Sequence, residues 1–289
     1  MFQKIKIAVL FLLLSVWGIG SLWAQDVRPL ERDWRNDRQK IKVMSYNILD
    51  GFGWGCKDTA RIVRLAAWIK GQNPDILGLN ELCGFNEAML RDFARLYGHP
   101  YVAIVKEEGY PVGITSKYPL EVVARKVEGY GHGLLHCKVL GLNVLATHLN
   151  PHKREIREQE TRRIVAYMHD NQLQSCVLMG DMNAHSPFDA SWKDRDLGDY
   201  TAISTFLAAS LHDVCYMFTP DERRVTWPTP IGVGTPKGPY LREIQERLDY
   251  IFVTDDLRES CVDAEIHNGA DTEYLSDHFP VSMSLLLPK

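Results

Sequence analysis

Cys176-Val177-Leu178-Met179-Gly180-Asp181-Met182-Asn183 is an apolar run that passes at its end into a carboxylate and an amide. A strand buried on both faces has no structural use for such groups, so polar residues at its end tend to face a shared site. Val43-Met44-Ser45-Tyr46-Asn47 echoes it, again running from an apolar strand into an Asn, although no repeat of fixed period is present. The same placement recurs at Glu81 after Ile76-Leu77-Gly78-Leu79 and at His148 after Val144-Leu145-Ala146. It recurs again at Asp249 before Tyr250-Ile251-Phe252-Val253, and at Asp277-His278 before Phe279-Pro280-Val281. Burying a lone carboxylate costs on the order of several kcal/mol, so a convergent set calls for cations, hydrogen bonds or both. A divalent metal satisfies that need.

Working outward, strand-like runs fall at 41–48, 75–82, 101–105, 112–115, 120–127, 134–139, 143–147, 176–179, 248–253 and 281–287. Ile62, Leu65, Ala66 and Ile69 repeat at helical spacing, and Ile156, Ile164, Val165 and Met168 mark a second, more charged amphipathic helix. Strand-rich runs with helices outside them predict an α/β fold, a four-layer α/β/β/α sandwich of two mixed sheets flanked by helices. No low-complexity stretch or Pro/Ser linker divides residues 41–289, which read as one domain.

The start of the chain reads differently. Lys4 and Lys6 precede an apolar run from Ile7 to Trp23 that ends at Ala24-Gln25, the layout of a cleavable signal peptide over 1–24. That run is short for a spanning helix and no second one follows, so the expectation is a secreted or periplasmic protein. Residues 25–40 are rich in Arg, Asp and Asn without apolar periodicity and read as an exposed lead-in. Apolar residues make up 45% of the chain, enough for a sizeable core, and the net charge of −4 excludes a global basic field for nucleic acid or anionic membrane. Six cysteines, at 56, 83, 137, 176, 215 and 261, never form a CxxC pair, which argues against a zinc ribbon or thioredoxin-type site. Disulfides and buried free thiols both remain open readings.

Ser45-Tyr46-Asn47, Asn80-Glu81, Thr147-His148-Leu149, Gly180-Asp181-Met182-Asn183, Arg247-Leu248-Asp249-Tyr250 and Ser276-Asp277-His278-Phe279-Pro280-Val281 occur in this order. In these motifs the chain resembles the endonuclease/exonuclease/phosphatase superfamily of metal-dependent phosphoesterases, which includes deoxyribonuclease I and neutral sphingomyelinases. The resemblance implies Glu81 as principal metal ligand and Asp277 as a second, with Mg²⁺ or Mn²⁺ as the cofactor suited to hard oxygen donors. It implies that Asn47 hydrogen-bonds metal-bound water or phosphate, that Asp181 orients or deprotonates the attacking water, and that Asn183 holds a phosphoryl oxygen. His278 would contact the scissile phosphate or carry a proton, with Asp249 fixing its tautomer. His148, a mark of the deoxyribonuclease-like and sphingomyelinase-like branches, would be general acid towards the leaving oxygen. The abasic-site branch places an Asp two residues after the first Asn; Leu49 stands there in this chain, and no ligand role is carried onto Asp50.

Each residue also has a plain structural reading. Asn47, Asp181, Asn183 and Asp249 are all types that serve as turns or caps. His132 and His136 bracket a strand in 131–139 and are candidates for the pocket wall, whereas His152, His185 and His212 read as solvated loop residues. Trp227, before Pro228, is a candidate to stack on a base, sugar or head group. Lys153, Arg154 and Arg157 alternate with Glu155, Glu158 and Glu160, the pattern of a salt-bridged helix face rather than an anion-binding rim. The Gly- and Pro-rich segment 228–239, with Lys237, reads as a loop beside the pocket. The expected function is hydrolysis of a phosphodiester or phosphomonoester by a monomer, with nucleic acid, phospholipid and sugar or inositol phosphates as open substrate classes. A catalytically inactive secreted binding module on the same fold is the alternative. A zinc hydrolase is disfavoured because no HExxH motif is present.

Overall fold

Side chains of a strand alternate between its two faces, and that parity builds the layers of the protein. In the computed structural model, which describes residues 38–189, 199–233 and 243–288, the first strand, β1 (Arg38–Asn47), points Ile41 and Val43 one way and Met44 and Tyr46 the other. The remaining strands are β2 (Ile76–Asn80), β3 (Tyr101–Ile104), β4 (Gly113–Ser116), β5 (Glu121–Lys126), β6 (Leu134–Val139) and β7 (Leu142–His148). After them come β8 (Cys176–Asp181), β9 (Leu211–Asp213), β10 (Asp249–Thr254), β11 (Cys261–Ile266) and β12 (Val281–Pro288). They form two six-stranded mixed sheets, ordered β11-β12-β1-β2-β4-β3 and β5-β6-β7-β8-β10-β9.

Ile41, Val43, Ile76 and Met283 of the first sheet meet Val144, Val177, Met179 and Ile251 of the second in the central core. The outer faces are covered by helices. Met44, Tyr46 and Leu79 pack on α1 (Thr59–Gln72) and α2 (Glu87–Arg95), while Leu145, Leu178 and Phe252 pack on α3 (Arg154–Asp170) and α4 (Thr201–Ala208). Asp58 caps α1 through the Arg61 N–H and Asn86 caps α2 through the Met89 N–H, both at 2.9 Å. This is the four-layer α/β sandwich expected from the sequence.

Several expectations change in detail. β1 begins at Arg38, so the last residues of the 25–40 lead-in belong to a strand; the rest of the lead-in and the 1–24 signal peptide lie outside the described residues. The two sheets share one pairing pattern, in which β1 lies parallel to β2 and β7 parallel to β8. The topological counterpart of β1 is therefore β7, not β8, despite the sequence echo between β1 and β8. All six cysteines are free. Among the described residues no helix is long and apolar enough to cross a membrane.

Candidate active site

The same parity that builds the central core places the polar residues. Asn47 on β1, His148 on β7, Asp181 on β8 and Asp249 on β10 each lie an even number of positions from an inward core residue of their own strand. They therefore face the space between the sheets, at the end where that core stops. Register completes the alignment, with His148 opposite Asp181 and Asp181 opposite Asp249. Gly180 lets β8 come this close to β7, since its φ is +145° and a Cβ would stand 1.8 Å from the Thr147 carbonyl oxygen.

Asp181 is the hub. Its Oδ2 accepts a hydrogen bond from Asn47 Nδ2 at 3.1 Å and faces His148 Nε2 at 3.5 Å and His278 Nε2 at 3.7 Å, while Oδ1 accepts from the Asn183 N–H at 2.9 Å. Asn47 Nδ2 also donates to Glu81 Oε1 at 3.0 Å, tying the two carboxylates together across the sheets. His278 Nδ1 meets Asp249 Oδ2 at 2.8 Å, and Asp249 is fully buried with Oδ1 lacking a hydrogen-bond partner.

Electrostatics follows from this crowding. Burial lifts the Asp181 carboxyl to about 7, against the pull of His278 and with the push of Asp249. Burial works against a charge on His278, but the carboxylates of Asp249 and Asp181 outweigh it and hold the imidazole well above its ordinary value. Burial, with His132 and His278 alongside, pushes His148 well below its ordinary value, so that ring is neutral. Burial raises Glu81, opposed by hydrogen bonds from the Asp50 N–H and Asn47.

Glu81 takes a left-handed backbone, φ +63°, and receives the Asp50 N–H at 2.8 Å on Oε2. Asp50 belongs to a stretch, residues 49–56, in which every residue has positive φ, five of them not glycine. Left-handed backbone costs about 1–2 kcal/mol per non-glycine residue, so other contacts must hold the segment. Arg61 supplies some of them, donating to the Ile48 and Leu49 carbonyls at 2.6 and 2.9 Å and lying over the Phe52 ring at 4.8 Å. A Cβ on Gly51 would stand 2.1 Å from the Cys83 carbonyl oxygen, so only glycine fits there.

This segment brings Asp50 to the site, which spacing alone did not indicate. Ligand atoms of Asp50, Glu81 and Cys83 lie within 4.8 Å of one another, as do those of Asp181, Asp249 and His278. Burial pushes the Cys83 thiol up to about 12, so the first group offers hard oxygen donors rather than a thiolate. That donor set, and a carboxylate excess around one buried imidazolium, fit a divalent cation. Asp277 is half-buried, with Oδ1 3.3 Å from Ser276 Oγ; it does not belong to the group of Asp50, Glu81 and Cys83.

Other sequence candidates fall in varied places. Asn183 Nδ2 donates to the Leu149 carbonyl at 3.1 Å, which ties the ends of β7 and β8 together. His132 lies against His148, ring centroids 4.5 Å apart. His136 is buried away from the cluster between Tyr167 and Asn143. His185 pairs with Glu246 at 3.1 Å and His212 with Asp255 at 2.9 Å, so neither is simply solvated. Trp227 is half-buried in a bridge with Glu246. Arg154 pairs with Glu158, and Arg157 is buried against Asp199, as a salt-bridged helix requires. Lys237 and much of the 228–239 loop lie outside the described residues.

Sequence reasoning missed two supports besides Asp50. Ser276 Oγ donates to the Asn47 carbonyl at 2.6 Å, joining the last motif to the first. Thr226 Oγ1 accepts from the N–H groups of Leu248 and Asp249 at 2.9 and 3.1 Å, and its carbonyl accepts from Phe279 N–H at 2.7 Å, fixing the Asp249–His278 pair from both sides.

The chain belongs to the endonuclease/exonuclease/phosphatase family, whose model matches residues 44–278. Enzymes of this family are phosphoesterases and nucleases that depend on a divalent metal. Comparison with curated protein sequences gives no match. Among solved structures the chain is similar to an AP endonuclease from Archaeoglobus fulgidus, with 23% identity and a TM-score of 0.68 over 84% of this chain and 98% of that one. It is also similar to the 3′ phosphatase NExo from Neisseria bound to a product DNA hairpin, at 17% identity and TM-score 0.66 over 85% and 99% of the two chains. A third similar structure is D. rerio TDP2 complexed with single-strand DNA product, at 16% identity and TM-score 0.57 over 85% and 98%.

Proposed function

We propose that this protein is an exported phosphoesterase that hydrolyses a phosphodiester or phosphomonoester by attack of water on phosphorus. The observation that carries the reading is the Asp181 hub, where Asn47, His148 and His278 from three separate elements surround one buried carboxylate oxygen. The layout of residues 1–24 supports export.

In this reading Asp181, lifted to about 7, accepts the proton of the attacking water near neutral pH. His278, kept charged by Asp249, holds a phosphoryl oxygen as negative charge develops there. Asn47 orients Asp181 and Glu81 at once. His148, neutral, contributes a hydrogen bond towards the leaving oxygen rather than a full positive charge. Glu81 with Asp50 or Asp277 would hold Mg²⁺ or Mn²⁺, which supplies Lewis-acid polarisation of a phosphoryl oxygen.

The test is product release from plasmid DNA, sphingomyelin, bis-p-nitrophenyl phosphate and a panel of sugar phosphates, with and without added Mg²⁺ or Mn²⁺. Turnover of at least one class is expected. Binding without turnover of any of them would instead favour the inactive binding module.

A further inference from the structure

Four rings run from the surface to the buried carboxylates. Trp54, 46% exposed, meets Tyr110 edge to face with centroids 5.4 Å apart at 90°. Tyr110 meets His132 at 5.4 Å, and His132 meets His148 at 4.5 Å. His148 in turn faces Asp181 at 3.5 Å. Burial lowers His132 to about 4, so two neutral imidazoles extend the wall inward without charge.

The outer end is held in place. Trp54 itself is left-handed, φ +55°, within the 49–56 segment. The next residue, Gly55, donates its N–H to the Cys83 carbonyl at 3.0 Å, and a Cβ on Gly84 would stand 2.8 Å from Gly55 N. Trp54 is thus fixed to the loop that carries Glu81. A large ring kept open to solvent on a backbone of this kind gains little from folding, which points to a contact outside the chain.

We infer that Trp54 and Tyr110 form a stacking wall for the planar base next to the scissile phosphate, so that the site selects phosphoesters bearing an unpaired nucleobase, as in single-stranded nucleic acid. This rests on the phosphoesterase reading above. The exposed indole, braced by the Tyr110 ring at 90°, offers π surface to a flat ring, and bases in a single strand are free to leave their own stack for it. Stacking of this kind changes affinity by about 5- to 160-fold per base when the aromatic residue is truncated.

The test is fluorescence anisotropy with a short phosphorothioate thymidylate and its abasic counterpart, which carries the same phosphates without bases. Wild type is expected to bind the thymidylate about tenfold more tightly than the abasic strand. Trp54→Ala and Tyr110→Leu should remove most of that ratio and Trp54→Phe should keep it, with Tm confirming that each variant folds. Equal binding of the two strands by wild type, or an unchanged ratio in Trp54→Ala, overturns the wall. Hydrolysis of phosphoesters without a base preference removes the wall alone. A base preference in a protein that hydrolyses no phosphoester removes the phosphoesterase reading and leaves the wall as a binding site.

Discussion

Asp249 and His278 form the pair on which the proposed roles of single residues are most open to test. The carboxylate is fully buried, touches the imidazole at 2.8 Å, and has Thr226 fixing its backbone. Asp249→Asn keeps the shape but removes the anion that favours one tautomer and stabilises the charged ring. In a serine-protease triad the comparable change lowers kcat by about 10⁴-fold; here a loss of about 10²-fold or more is expected, since a metal would share the charge stabilisation. His278→Ala and the double variant should lose no more than about a further tenfold, because the two act as a unit. The measurement is kcat for all four proteins on one activated phosphodiester, with Tm as folding control. Near-wild-type kcat in Asp249→Asn would reduce that residue to a turn former.

At the scale of elements, buried polar side chains tie neighbouring segments together. Arg247, just before β10, reaches Asp189 at 2.7 Å and Asp213 at 3.0 Å, and Asp189 also accepts from Arg224 at 2.7 Å. On the other sheet His99 follows α2 and joins the Pro74 carbonyl at 2.9 Å to the Thr115 hydroxyl at 2.8 Å. These two contacts suit a neutral ring that donates from Nε2 and accepts at Nδ1. Burial lowers both His99 and His267 to about 4, whereas an unfolded histidine titrates near ~6.5. Between those values the unfolded chain binds more protons than the folded one. Stability is therefore full above about 6.5 and falls as pH drops towards 4, by up to about 1.4 kcal/mol per pH unit for each ring. Urea unfolding between pH 7 and pH 4.5 should show that decline, and His99→Gln, whose amide keeps a donor and an acceptor, should flatten it. An equal slope in wild type and variant would show that His99 does not titrate on unfolding.

Across the whole molecule, what was legible in the sequence depended on how much apolar patterning an element carries. β1, β2, β7, β8 and β10 lie inside their sheets and bury both faces, so they read as apolar runs bounded by polar groups. β11, an edge strand with exposed Val262 and Asp263, and the three-residue β9 carry too little apolar patterning to be seen. α2 was missed because its buried face, Leu90, Phe93 and Ala94, occupies under three turns. Asn47, His148, Asp181 and Asp249 were legible as strand-end groups facing one space because parity and strand ends suffice to place them, whereas Glu81 shares the parity of outward Leu77 and Leu79 and turns in only through its left-handed backbone. Asp50 was not, since a left-handed backbone has no periodicity in side-chain type. Asn183 stood out at the end of its apolar run, but the hydrogen bond its amide nitrogen donates to the Leu149 carbonyl is a contact no motif spells out.

The proposed reaction is hydrolysis of phosphoesters at this cluster, with a hard divalent cation held at Glu81. Its most direct test is turnover of bis-p-nitrophenyl phosphate against Mg²⁺ concentration, for wild type and Glu81→Gln, with a chelator arm. Saturable activation of wild type, loss of activity in EDTA, restoration by Mg²⁺ or Mn²⁺, and at least about 10²-fold lower kcat in Glu81→Gln at all metal concentrations are expected. Full turnover by wild type in excess EDTA, or wild-type activity in Glu81→Gln, would contradict it.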